Sequence, residues 1–232
     1  MLLALWSPKG GSGTSVVAAS LAIVAAERAA ARLADLGGDQ PALLGLPVLP
    51  SAASGGGLSA WLAMGTSAPT EWLDAMAVPV VPGLSLLPLG DEVPSAAPEA
   101  GAALGVALRD GGLTVLDAGT GPSPAARAAV EVADTALMVI RPCYLALRRA
   151  VAGPRLGPSS GAILVEEPGR ALDAGDVAAV LGIPVVGRFP VRAEVARAVD
   201  AGVLRDRLPA LLATPAAAVL AGLADARGMW AA

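Results

Sequence analysis

The chain has 232 residues, of which 55% are hydrophobic and 16% are charged, and its formal net charge is −4. This apolar content excludes an intrinsically disordered chain. A single cysteine, Cys143, excludes an internal disulfide and favours the reducing cytoplasm. The mean hydropathy is +0.65, but apolar stretches are interrupted before about 20 residues and the apolar start has no basic n-region. We therefore expect neither a membrane span nor a signal peptide.

A short apolar run at residues 2–6 leads into the loop SPKGGSGTS at residues 7–15, and a helix-spaced apolar segment follows at residues 16–27. Strand, glycine loop and helix start form the layout of a phosphate-binding cradle. Glycines allow consecutive backbone N–H groups to turn inward, and the helix N-terminus contributes partial positive charge.

The loop contains Lys9, which is the only lysine among 16 basic residues. A lysine is a mobile point charge that suits a phosphate group, whereas arginine is a rigid fork. The alternative is a chance surface lysine beside a glycine-rich turn.

The loop departs from the standard P-loop pattern G-x-x-x-x-G-K-[ST] at two positions. Pro8 replaces the first glycine, and Thr14 replaces the lysine that reaches the β- and γ-phosphates. The remaining K-G-G-x-G-x-[ST] resembles the deviant Walker A loop of the MinD/ParA ATPases. Loss of the second lysine resembles the CpaE/TadZ branch, which comprises pilus-assembly relatives of MinD.

This resemblance implies that the protein binds ATP or ADP with Mg²⁺ and forms a homodimer. Lys9 would reach across the dimer to the partner's nucleotide and take part in catalysis, and Ser15 would hold Mg²⁺. The loop residues expected to bind the nucleotide are Lys9, Gly10, Gly11, Ser12, Gly13, Thr14 and Ser15.

Two later strands, at residues 31–35 and 113–119, deliver aspartates to the edge where ligands of parallel sheets bind. The segment from Asp35 to residue 46 resembles the family's switch segment, D-x-D…LLG, with one of its two aspartates missing. Asp35 would orient the attacking water or touch the Mg²⁺ shell. The alternative is a turn aspartate before two glycines. Asp117 resembles the Walker B aspartate, which contacts Mg²⁺ through water; its alternative is a helix-capping role.

Further apolar strands are predicted at residues 84–90, 133–142, 161–165 and 183–192, and a loop is predicted at residues 47–57. The last strand resembles the family segment beside adenine, which assigns Pro190 and Val191 to the nucleotide site. Strands that alternate with helices predict an α/β fold: a mostly parallel sheet of about seven strands with helices on both faces. We expect one P-loop NTPase-like domain over residues 1–232.

Arg148 and Arg149 form a basic cluster of the kind that binds DNA backbone in ParA proteins. A net charge of −4 opposes DNA binding, so a solvated helix face is the preferred interpretation. The segment from residue 208 to 232 is rich in Ala and Leu and has only Arg227 near its end. A membrane-surface helix is weakly supported there, and docking on the domain is favoured.

The leading hypothesis is a cytoplasmic MinD/ParA-like dimeric switch that positions a pilus or secretion apparatus through protein partners and hydrolyses ATP slowly. The alternatives are a scaffold of the same fold that does not hydrolyse ATP, or a septum-site or partitioning ATPase. An iron–sulfur carrier is disfavoured because one cysteine cannot supply C-x-x-C. An amide-forming synthetase is disfavoured because no second catalytic cluster is found.

Overall fold

The computed structural model of the chain describes residues 1–47, 56–91, 97–154, 156–157 and 159–227. Most of the predicted loop at residues 47–57 therefore lies outside the described residues. These described residues form eight strands: β1 (Leu2–Ser7), β2 (Ala31–Asp35), β3 (Val78–Val81), β4 (Leu84–Leu87), β5 (Leu113–Thr120), β6 (Thr135–Ile140), β7 (Ser159–Glu166) and β8 (Val185–Pro190).

In the described part of the chain, ten α-helices connect and follow these strands. They are α1 (Thr14–Ala26), α2 (Gln40–Leu43), α3 (Gly57–Ala63), α4 (Glu71–Ala75), α5 (Pro98–Ala107), α6 (Pro124–Glu131), α7 (Tyr144–Ala152), α8 (Ala174–Leu181), α9 (Ala193–Asp200) and α10 (Ala210–Arg227).

The strands form one sheet in the order β3-β4-β2-β5-β1-β6-β7-β8. Every neighbouring pair is parallel except β3 and β4. The chain order reverses on either side of β1, so the loop after β1 opens at a topological switch point, where ligands of open α/β sheets bind. The predicted fold class is confirmed.

Both faces of the sheet are covered by helices, as a parallel sheet requires. In β1, Leu3 and Leu5 pack into the cluster that includes α1, α9 and α10, whereas Ala4 and Trp6 pack into the cluster beneath α5, α6 and α7. All six residues of β1 are buried. Its continuous apolar run is therefore the pattern of a central strand and not of a half-exposed one.

The structure has one strand more than the sequence predicts. β3 is an edge strand that pairs antiparallel with β4 across the turn at Pro82 and Gly83. It has four residues and contains Pro79, which lacks a backbone donor and is tolerated because an edge strand can leave its N–H side unpaired. Because β3 is short and contains a proline, the sequence pattern does not predict it as a strand.

Helix α10 packs against α1 and β8. Leu212, Ala216 and Val219 on α10 are buried in the cluster that contains α1. This packing agrees with the favoured expectation that the segment from residue 208 onward docks on the domain. Among the described residues, none of the helices combines the length and the apolar character that a membrane crossing demands.

Candidate functional site

The loop after β1 is held in shape by its own serines. Ser12 Oγ donates to the carbonyl oxygen of Lys9 at 2.6 Å, and Ser7 Oγ donates to the same oxygen at 3.1 Å. Ser7 Oγ also lies 3.0 Å from Thr120 Oγ1, which ties the loop to β5. Gly11 and Gly13 adopt φ of 73° and 88°, a conformation that favours glycine. These hydrogen bonds and backbone conformations therefore fix the shape of the loop.

The loop ends at the N-terminus of α1, where the helix has no side-chain cap and no acidic residue in its first turn. Its partial positive charge is therefore not neutralised locally. Thr14 is 5% exposed, and its Oγ1 has no hydrogen-bond partner among the described residues. A buried hydroxyl without a partner at a helix N-terminus fits an anionic ligand that would supply one.

Lys9 is half-buried, and its Nζ donates to the carbonyl oxygen of Gly10 at 3.2 Å. The ion pairs of the described residues do not include it. Its ammonium group is therefore available to a phosphate or to another chain.

Asp35 and Asp117 lie side by side, since they are register partners in the parallel pair of β2 and β5. Both are fully buried. Asp35 Oδ1 accepts from the backbone N–H groups of Gly37 at 2.9 Å and Gly38 at 2.7 Å, and Oδ2 accepts from that of Gln40 at 3.0 Å. Asp35 thus orders the turn that follows it. This is the role of a turn aspartate, the alternative interpretation of Asp35 from the sequence.

Burial raises the pKa of Asp35 to about 7, and the neighbouring charge of Asp117 acts in the same direction. The three backbone donors oppose this shift without overcoming it. Burial also raises the pKa of Asp117, although the hydroxyl of Ser15 and the amide of Gln40 donate to its carboxylate and lower it in part. Two buried carboxylates side by side favour a bound proton or cation between them.

Gln40 completes this group, and sequence reasoning did not select it. Its side chain is fully buried, and Nε2 donates to Asp117 Oδ2 at 2.8 Å and to the carbonyl oxygen of Ser15 at 3.0 Å. The two donated bonds leave Oε1 as an acceptor without a partner among the described residues. Gln40 lies five residues after Asp35, and only the fold of the turn brings it back to β5.

The donor set around Asp117 fits Mg²⁺. Mg²⁺ binds hard oxygen ligands, usually one or two carboxylates together with waters and phosphate oxygens. The Ser15 hydroxyl and the Asp117 carboxylate supply such oxygens, and Gln40 Oε1 is a free acceptor for a metal-bound water. Within the described part of the chain no group of three His, Cys, Asp or Glu residues could hold a metal ion. A Mg²⁺ ion here would therefore depend on phosphate oxygens.

Pro190 and Val191 lie at the end of β8 and line a cavity of about 250 Å³. Gly13 and Val16 from the first loop and helix line the same cavity, together with Arg141. The structure thus brings the predicted adenine segment next to the predicted phosphate loop. Arg141 was not predicted as a site residue, although it directly follows β6. The rule that selected Asp35 and Asp117, a polar residue at the carboxyl end of a strand, applies to it equally.

The sequence matches no family model and no curated protein sequence at a significant level. Similarity to solved structures, in contrast, extends over nearly the whole chain. A ParA family ATPase from Chlorobium tepidum shares 19% identity and a TM-score of 0.75, with 96% of this chain and 97% of that chain covered. The fold is that of the ParA and MinD ATPases.

Two MinD structures support this fold assignment. The septum site-determining protein MinD from Pyrococcus horikoshii, solved with Mg-ADP, has a TM-score of 0.72 and 16% identity over 98% of this chain and 97% of that one. The MinC:MinD cell division complex from Aquifex aeolicus has a TM-score of 0.73 and 18% identity, with 97% of this chain and 95% of that chain covered. Nucleotide with Mg²⁺ and a protein partner are thus present in proteins of this fold.

Proposed function

We propose that the protein is a MinD/ParA-type nucleotide-dependent switch that binds ATP or ADP with Mg²⁺ and forms a homodimer. One observation carries the proposal: the glycine loop, Ser15 and the buried pair Asp35 and Asp117 converge on one sheet edge. Hydroxyl, carboxylates and an uncapped helix N-terminus together suit a phosphate–Mg²⁺ group.

In this proposal the residues have separate tasks. Backbone N–H groups of residues 10–15 bind the phosphates, while Ser15 and Asp117 hold the Mg²⁺ shell. Mg²⁺ would neutralise phosphate charge. Asp35 holds the turn that carries Gln40 to Asp117, and Lys9 extends to the nucleotide of the second protomer. Pro190 and Val191 border the base.

The finer part of the proposal is a CpaE/TadZ-like role, in which the dimer positions a pilus or secretion apparatus in the cytoplasm through protein partners. Two features of the loop support this role: Lys9 is present, and Thr14 stands in place of the second lysine. Because loss of that lysine resembles the CpaE/TadZ branch, a septum-site or partitioning ATPase is the less favoured alternative.

The experiment measures nucleotide binding and the molecular mass of the protein under the same conditions. We expect wild type with millimolar Mg²⁺ and ATP to bind nucleotide and to shift from monomer to dimer in light scattering after size exclusion. Lys9→Ala should still bind nucleotide but remain monomeric. Arg148→Ala, which removes one exposed positive charge elsewhere, should dimerise like wild type. Failure of wild type to bind either ATP or ADP at millimolar concentration would refute the proposal.

A scaffold that does not hydrolyse ATP is the second candidate. Thr14 cannot make the charge-assisted phosphate contact of a lysine, and losing one such contact weakens binding by about 10- to 100-fold. It also leaves transition-state charge without neutralisation. Steady-state phosphate release from wild type and Lys9→Ala separates the candidates. Turnover that depends on Lys9 excludes the scaffold, and equal background rates support it.

A further inference from the structure

The end of the loop that leads into α1 carries no positively charged side chain. Thr14 is neutral and buried, and its hydroxyl has no hydrogen-bond partner among the residues that the structure describes. Lys9 lies at the other end of the loop and contacts the carbonyl oxygen of Gly10. A nucleoside diphosphate bound here would carry charge that the backbone cradle and Mg²⁺ neutralise only in part. A cation from another element of the chain would complete the site.

Arg141 is positioned to be that cation. It directly follows β6, and β6 is the parallel neighbour of β1, whose end opens into the loop. The backbone N–H of Cys143 donates to the carbonyl oxygen of Arg141 at 2.8 Å, which fixes a tight turn at the sheet edge. Its side chain lines the 250 Å³ cavity together with Gly13 and Val16. Arg141 therefore borders the same cavity as the start of α1.

Part of the Arg141 guanidinium group lacks a hydrogen-bond acceptor among the described residues. Its Nε is buried without a hydrogen-bond partner, and the ion pairs found among the described residues do not include it. Arg32, Arg109 and Arg170, in contrast, each contact a carboxylate. A buried charged donor without an acceptor is unfavourable unless a ligand supplies one.

The acidic groups near Arg141 do not compete strongly for it. Glu167 is within electrostatic range, but it is half-buried and its carboxylate accepts from Arg170 Nε at 2.8 Å. The other charged residues that line the cavity are Arg192 and Asp200, and both are exposed. Arg192 donates to the carbonyl oxygen of Val191 at 3.0 Å.

We propose that Arg141 binds the phosphates of the nucleotide in the same chain and supplies the positive charge that Thr14 cannot. The planar fork of a guanidinium can donate two parallel hydrogen bonds to phosphate oxygens. The proposal rests on the proposed nucleotide function and assigns a phosphate-binding residue to it. It also explains how the loop can bind nucleotide without its second lysine.

The test compares ligands that differ only in phosphate, using calorimetry with the full chain and Mg²⁺. Arg141→Met keeps side-chain length and removes the charge. We expect it to weaken ADP binding by about 10- to 100-fold, as for loss of a charge-assisted hydrogen bond, and to leave adenosine binding within about twofold. Arg141→Lys should recover part of the ADP affinity. Arg148→Met, an equal change of net charge on α7, should bind ADP like wild type.

The outcomes separate the two proposals. If wild type does not bind ADP, the nucleotide function itself fails. If wild type binds ADP and Arg141→Met binds it equally well, only the role of Arg141 is refuted. Equal losses for adenosine and ADP would place Arg141 on the base or ribose and would also refute it.

A second measurement needs no variant and so does not depend on the folding of one. Phenylglyoxal modifies arginine, and its rate at Arg141 and Arg148 can be followed by peptide mass mapping in wild-type protein. We expect ADP and inorganic pyrophosphate, but not adenosine, to slow modification of Arg141 while Arg148 reacts unchanged. Unslowed modification of Arg141 at saturating ADP would contradict the proposal.

Discussion

Asp35 is fully buried, yet its carboxylate lies beside that of Asp117. The folded protein therefore holds a proton on Asp35 up to a pH of about 7, its raised pKa, whereas an unfolded chain releases it near its ordinary pKa of 3.8. Between these pH values the native state binds more protons than the unfolded state. The free energy of unfolding must then fall as the pH rises across this window.

We predict that wild type loses up to about 4 kcal/mol of unfolding free energy between pH 4 and pH 7 from this group, since one pKa unit corresponds to about 1.4 kcal/mol. Asp35→Asn, which cannot lose a proton, should flatten the slope. Urea unfolding at a series of pH values measures it. Asp225→Asn, a change at an exposed carboxylate on α10, serves as the control and should keep the wild-type slope. Identical slopes in wild type and Asp35→Asn would contradict the assignment.

At the scale of elements, the close contact of α5 and α6 depends on missing side chains. A Cβ atom on Gly101 would overlap the carbonyl oxygen of Ala125, and one on Gly105 would overlap Val132. These glycines allow the two helices to approach closely above β5, the strand that carries Asp117. Helix propensity alone would favour alanine at both positions, so tertiary packing overrides it.

We predict that Gly101→Ala destabilises the protein by roughly 1–3 kcal/mol, the usual effect of overpacking. Gly222→Ala is the matched control because nothing lies within 4 Å of a Cβ atom added to this glycine of α10. It should be neutral or stabilising by up to about 1 kcal/mol. Chemical denaturation of both variants measures the difference. A stabilising effect of Gly101→Ala would contradict the packing described here.

At the scale of the whole molecule, charge determines how the exposed arginines of α7 behave. Arg148 and Arg149 are exposed, but the chain carries a net charge of −4. An overall negative field repels DNA phosphates, and nonspecific binding to DNA depends on their neutralisation by Lys and Arg.

We predict no saturable binding to a random DNA duplex at an ionic strength of about 0.15 M, a condition under which the Debye length is about 8 Å. Fluorescence anisotropy with a labelled duplex, repeated with Mg²⁺ and ATP, measures this. The double variant Arg148→Glu with Arg149→Glu should behave as wild type does. Saturable wild-type binding that this variant abolishes would instead identify α7 as a DNA-binding surface.

Sequence patterns predicted the sheet architecture because most strands are continuous apolar runs that end in glycine, proline or aspartate. They placed Asp35 and Asp117 on one edge because parallel strands end together. They did not predict β3, whose Pro79 breaks the pattern, nor the conformation of the turn after Asp35. The turn is set by three backbone N–H groups that converge on one carboxylate.

The sequence by itself determined the fold class, the phosphate-type loop and the missing lysine at Thr14, because these depend on local spacing and on residue type. Only the tertiary structure decided which side chains share the site. Gln40 reaches Asp117 across 77 positions of the chain, and Arg141 lines the same cavity as Gly13 because β6 pairs with β1. Gln40 and Arg141 each have a buried polar atom without a hydrogen-bond partner among the described residues. Burial of this kind depends on contacts between residues that are distant in sequence, so sequence patterns do not predict it.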